Sequence, residues 1–170
     1  MFIKFDREIK DIKDLGNYLR DKSINLPEFD TAVIAMLMDK NENIILQRRG
    51  PKSRDSYNML SDIGGAVEKE DKNFREALCR EIMEEVGNEI NYCIDKLVGG
   101  CLLNRYDSRR EKYVNWLFLL YKCTYINGEL CVNEPGKSIG YEYYKYKDLP
   151  KEEVLESTLS FWNWYMKNKV

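Results

Sequence analysis

Three glutamates dominate the chemistry open to this chain. Glu81, Glu84 and Glu85 lie in the run Arg80-Glu81-Ile82-Met83-Glu84-Glu85-Val86-Gly87, at the i, i+3 and i+4 spacing that gathers side chains on one face of a helix. Three carboxylates so placed repel one another unless a cation sits between them. A hard divalent ion with oxygen ligands is the natural counter-charge, Mg²⁺ first and Mn²⁺ as its substitute. The run Gly64-Gly65-Ala66-Val67-Glu68 precedes the helix. Glycines there let backbone approach a metal or a phosphate closely; the plainer reading is a tight turn. The chain contains no histidine, so a Ser-His or Cys-His pair and a histidine metal site are excluded. Acid–base work falls to carboxylates, Lys, Tyr or metal-polarised water.

The element that must hold these glutamates is a helix over about 74–86. Asn73 reads as its N-cap, with Glu76 three residues on completing a capping box, and Gly87 as the residue that ends it. Phe74, Leu78, Ile82 and Val86 recur every four residues and form an apolar stripe. Glu85, three residues past Ile82, falls on that stripe, where a carboxylate is costly unless it is paired or binds metal. Acidic clusters on helices are most often solvated faces; the glycine pair, Arg80 and Gly87 around this one argue otherwise.

Gly65…Arg80-Glu81-Ile82-x-Glu84-Glu85-x-Gly87 resembles the box of the Nudix (MutT-like) hydrolases, G-x5-E-x7-R-E-U-x-E-E-x-G-U with U aliphatic. The second half matches through Gly87. In the first half Asp71 stands where the first Glu falls, the spacing from there to Arg80 is one residue longer, and Asn88 occupies the last aliphatic place. The resemblance covers about residues 31–168. It implies an α/β fold, the α/β/α sandwich of Nudix domains with a mixed β-sheet. It implies metal held by Glu81, Glu84 and Glu85, with Arg80 orienting a carboxylate as the further member of the catalytic set. The base is Glu81 or Glu84 within the box, or a carboxylate from a distant loop, for which Glu134 and Glu142 are candidates. Gly64 and Gly65 are expected at the substrate. Arg48 and Arg49 begin a basic run, continued by Lys52 and Arg54, that could receive phosphates. Tyr57, Tyr106 and Trp116 could stack on a base, although Trp116 and Phe118 alternate along a strand as core residues do.

The 170 residues suit one domain, and the net charge of −2 carries no overall pull toward nucleic acid or acidic lipid. The apolar runs are too short to span a membrane, and Met1 to Asp6 lacks a signal peptide's apolar segment. Five scattered cysteines read as free thiols of a reducing cytoplasm. Residues 1–30 read as an N-terminal extension, helical over 7–22, and residues 31–170 as the hydrolase domain. Strands are expected near 31–38, 43–49, 96–105, 112–125 and 141–147, with loops over 50–62 and 127–140. A last helix, opened by Pro150, should run to about Lys167 and carry Phe161, Trp162, Trp164 and Tyr165 for packing or a homodimer contact.

The reading is therefore a cytoplasmic, Mg²⁺-dependent enzyme cleaving the diphosphate linkage of a nucleoside diphosphate-X or nucleoside triphosphate, a small-molecule substrate. The competing readings are a Nudix-like nucleotide-binding or regulatory domain that does not cleave its ligand, and an RNA 5′-end pyrophosphohydrolase. The absence of a concentrated basic stretch weakens the last.

Overall fold

The computed structural model describes residues 1–54 and 56–169. Asp55, in the loop expected over 50–62, and Val170, at the end of the expected domain, lie outside the described residues. The element order is β1 (Phe2–Ile3), α1 (Ile12–Asp21), β2 (Asp30–Asp39), β3 (Ile44–Arg49), β4 (Leu60–Ser61), β5 (Ile63–Ala66), α2 (Phe74–Val86), β6 (Ile90–Asp107), β7 (Lys112–Gly128), β8 (Ser138–Tyr144), a 3₁₀ turn (Tyr146–Asp148) and α3 (Glu156–Asn168).

The strands form one mixed sheet with the path β1-β6-β7-β2-β3-β4. Strand β2 is its spine. It runs parallel to β7 from Asp30↔Trp116 to Asp39↔Tyr125 and is buried almost end to end, as a strand covered on both faces must be. Its side chains divide by the period of two. Val33, Ala35 and Leu37 enter one core layer with Leu15 and Leu19 of α1 and Phe74, Leu78, Ile82 and Val86 of α2. Ala32, Ile34, Met36 and Met38 enter the other with Phe161, Trp162 and Tyr165 of α3. Helices on both faces of a mixed sheet make the expected α/β/α sandwich.

The feature that positions the site is a fork. Strands β2 and β3 pair only at Met38↔Ile44 and then part. Residues 60–66 fill the opening: Leu60 and Ser61 pair with Arg48 and Gln47 of β3, and Ile63 to Ala66 pair with Ala35 to Ala32 of β2. The glycine pair, for which the sequence makes a tight turn the plainer reading, lies within a strand, Gly64 opposite Ile34 and Gly65 opposite Val33.

Several boundaries differ from expectation, each for a physical reason. Helix α1 starts at Ile12, not residue 7, because Asp11 caps it by accepting from the Asp14 N–H at 2.8 Å. Residues before the cap are drawn elsewhere: the Phe74 N–H donates to the Lys10 carbonyl at 2.8 Å. Strand β6 begins at Ile90, since its first residues pair with the end of β7. Helix α3 starts at Glu156 rather than at Pro150, because Val154 bridges to Leu60 and the Leu155 N–H donates to the Leu60 carbonyl at 2.9 Å. Residues 1–30 cap the sheet: Phe2 and Ile3 extend its edge on β6, and Phe2 stacks on Trp164 at 5.2 Å. All five cysteines are free thiols, and among the described residues no helix is long and apolar enough to cross a membrane.

Candidate functional site

Helix α2 forms as its local signals dictate. The Asn73 Oδ1 accepts from the Glu76 N–H at 2.8 Å, and Gly87, at φ +94°, closes the last turn by donating to the Met83 carbonyl at 3.1 Å. Its acidic face lies against β5. Glu81, three residues past Leu78, is 9 % exposed. A Cβ on Gly65 would stand 2.6 Å from the Glu81 carboxylate, so the second glycine is what lets that carboxylate lie on the strand. Glu85 is half-buried, and its Oε2 accepts from the Gly64 N–H at 3.1 Å and the Gln47 side-chain amide at 3.2 Å. Gly64, at φ +154°, holds a conformation that favours glycine, with the Val33 carbonyl 2.2 Å from where its Cβ would sit. Glu84 is exposed on the outer edge of the same face.

The electrostatics follow from burial. Desolvation pushes the Glu85 carboxyl up to about 8, against weaker opposing help from the Gly64 N–H, and raises Glu81 as well, offset in part by Arg80. Arg80 is the hub of the acidic face. It grips Asp71 with two parallel bonds of 3.0 and 2.9 Å, donates to Glu81 at 2.8 Å and to the Ala66 carbonyl at 2.9 Å, and lies 3.4 Å from Glu84. The Asp71 carboxyl is held below its usual range chiefly by that grip. The aspartate at the first-glutamate place therefore pairs with the arginine despite the extra residue between them.

Among the described residues, no three acidic or thiol groups converge tightly enough to form a finished metal cage. The arginine lies among Asp71, Glu81 and Glu84. The residues nonetheless fit a hard divalent cation. Two desolvated carboxylates share one strand of bare glycine backbone, and the donors there are oxygens. A cation that keeps several of its waters does not need a closed protein cage.

A cavity of about 380 Å³ opens beside Glu85, walled by Gln47, Glu134, Ser53, Ser138 and five cations, Arg49, Lys52, Arg54, Arg109 and Lys137. Of the two arginines expected at substrate, Arg49 faces this cavity. Arg48, its neighbour on the strand, points to the opposite face by the period of two, where it is tied to Glu142 and Glu153. Of the two distant carboxylates, Glu134 lines the cavity, paired with Lys137 at 2.7 Å. Glu142 is held by Arg48 and Tyr144 and lies outside the cavity wall. Sequence reasoning missed Gln47, Lys137 and Arg109 here. Gln47 follows the last apolar residue of a strand, and its position in the β2–β3 fork is a product of topology.

A second groove of about 290 Å³ shares Arg49 and Arg54 with the first. Ala32, Gly65, Trp116, Phe118 and Tyr106 line it. Tyr57, the other aromatic considered for stacking, is exposed outside both.

Comparison with known proteins gives a consistent result. The family model described as NUDIX domain matches residues 28–165. No curated protein sequence matches the chain. Among solved structures, a MutT NUDIX hydrolase from Burkholderia pseudomallei superposes with a TM-score of 0.61 at 21 % identity, covering 81 % of this chain and 98 % of its own. A MutT protein from Methanosarcina mazei Go1 gives 0.60 at 19 % identity, covering 86 % and 100 %. The NUDIX domain of Shewanella oneidensis NrtR, solved with ADP ribose, gives 0.62 at 12 % identity, covering 91 % and 98 %.

Proposed function

The chain belongs to the Nudix hydrolase family, and from that premise we propose that it cleaves a diphosphate linkage in a nucleoside diphosphate-X or nucleoside triphosphate, with Mg²⁺ held by Glu81, Glu84 and Glu85. The observation that carries this reading is the pair of desolvated carboxylates, Glu81 and Glu85, on the glycine strand at the mouth of a cationic cavity. A structural role gives no reason to bury two acids beside each other. When bound, the cation neutralises the non-bridging phosphate oxygens and the charge of its glutamates.

The chain's own residues do the rest. Arg80, gripping Asp71 and donating to Glu81, fixes the Glu81 carboxylate. The Gly64 N–H and the Gln47 amide fix that of Glu85. In the reaction a water oxygen bonds to phosphorus, the bridging P–O bond breaks, and each product leaves with a phosphate end. The proton of that water goes to a carboxylate, and Glu134 is the distant candidate that shares the cavity with Glu85. Arg49, Lys52 and Lys137 hold the phosphate oxygens.

The deciding experiment is phosphate release from nucleotide substrates with Mg²⁺ and with EDTA. Metal-dependent turnover that disappears in Glu81→Gln and Glu85→Gln is expected. Turnover that survives EDTA, or survives both variants, overturns the assignment.

A further inference from the structure

The charge of the cavity points past a diphosphate linkage to what must lie beyond it. Five cationic and two anionic side chains line it among the described residues, and one of those anions, Glu85, belongs to the proposed metal set. The chain as a whole is net negative at −2, so this excess is local. Three separate segments supply it: Arg49 at the end of β3 with Lys52 and Arg54 in the loop that follows, Arg109 from the turn between β6 and β7, and Lys137 from the loop before β8.

The clamp is built rather than incidental. The Gly50 and Lys52 N–H groups donate to the carbonyls of Lys137 and Gly136, each at 2.6 Å, which ties the first loop to the third. The Lys52 stem lies over Gly136, 2.6 Å from where a Cβ would sit. The Ser53 hydroxyl donates to the Lys137 carbonyl at 2.9 Å. Ser138, buried at the wall, has a hydroxyl with no hydrogen-bond partner.

A sugar or other neutral X would bring no negative charge to Lys52, Arg109 and Lys137, which stand exposed around this cavity. A terminal phosphate, whose second ionisation lies near pH 6, brings close to two negative charges and three acceptor oxygens, and both Arg and Lys suit it. The adjoining groove, floored by Ala32, Trp116 and Phe118, offers apolar surface to a flat base. Arg49 and Arg54 border both spaces, so the two adjoin and one ligand can reach from the groove into the cavity.

Resting on the hydrolase reading above, we propose that the substrate class is a nucleotide whose phosphate chain ends in a free phosphate, a nucleoside triphosphate, and that Lys52, Arg109 and Lys137 receive that end.

The test compares ATP, GTP, CTP and UTP with ADP-ribose and UDP-glucose under Mg²⁺, in the native chain and in Lys52→Gln, Arg109→Gln and Lys137→Gln. Calorimetric binding of inorganic tripolyphosphate runs alongside, and circular dichroism confirms that each variant is folded. At least one triphosphate should exceed both diphosphate sugars tenfold or more in kcat/KM. Each variant should raise its KM about tenfold and weaken tripolyphosphate binding in parallel. Equal or better turnover of a diphosphate sugar overturns the triphosphate assignment and leaves the hydrolase standing. Absence of turnover on every compound, with tripolyphosphate binding that the variants abolish, overturns the hydrolase and keeps the polyphosphate clamp. Tripolyphosphate binding that the variants do not change overturns the clamp.

Discussion

At the scale of single residues, the two glycines of β5 separate fold from function. Gly65→Ala places a methyl against the Glu81 carboxylate, the far end of a flexible side chain that can swing aside. The fold should tolerate it, with a melting temperature within a few degrees of the native one. Turnover should fall at least tenfold as Glu81 leaves its place. Gly64→Ala instead meets the Val33 backbone carbonyl at a strained φ and should cost about 3 kcal/mol or more of stability. Denaturant unfolding and kinetics on the two variants check the contrast, and equal effects on stability would refute it. Glu85→Gln sharpens the same point. It removes a desolvated acid while keeping an acceptor for the Gly64 N–H, so stability should hold or rise while metal-dependent turnover drops by at least about 100-fold. The glutamates were legible as a metal face because helical spacing is local. The stripe pointed to Glu85 as the costly carboxylate, whereas Glu81, three residues past Leu78, is the less exposed of the two, and its contact with Gly65 depends on a strand pairing that no local signal announces.

At the scale of elements, legibility follows how local the cause is. Helix α2 carries its own cap, stripe and terminating glycine, and it forms where they say. Strands β4 and β5, two and four residues long, carry no period, and they exist because the β2–β3 fork leaves two unpaired edges. Between them sits Asp62, buried at 7 % exposure. It accepts from the Trp162 indole N–H at 2.8 Å, and its other oxygen has no partner. Burial pushes its carboxyl up to about 7 from 3.8. The native state therefore holds this proton up to near neutrality, whereas the unfolded chain loses it near pH 4. Between those values the folded form binds more protons, so stability falls as pH rises from about 4 to about 7, by a few kcal/mol at most, and is level outside that window. Asp62→Asn cannot ionise and should flatten that part of the profile. Urea unfolding at several pH values measures it, and an unchanged slope in the variant would show that Asp62 does not titrate there.

At the scale of the whole molecule, composition hid what topology assembles. A net charge of −2 gave no sign that five cations meet at one cavity, because they come from three segments far apart in the chain. The reading of residues 1–30 as an extension beside a domain of 31–170 faces a similar test. Ile3, Phe5, Ile9, Leu15, Tyr18 and Leu19 are all buried in the core layer that also contains α2. Arg75 on that helix is paired with Glu8 at 2.8 Å, which binds the N-terminal segment to the element bearing the glutamates. Burial of one such apolar side chain contributes about 1.5–3 kcal/mol, so six together rival the roughly 5–15 kcal/mol that holds a typical domain folded. We therefore propose that residues 1–30 are part of the folding unit. A chain starting at Thr31 should show no cooperative thermal transition by circular dichroism and no metal-dependent turnover. If that shortened chain melts cooperatively and retains activity, the first thirty residues are an accessory to a self-sufficient fold. If it is unfolded alone but regains activity when a peptide of residues 1–30 is added, the segment completes the core without needing the covalent link.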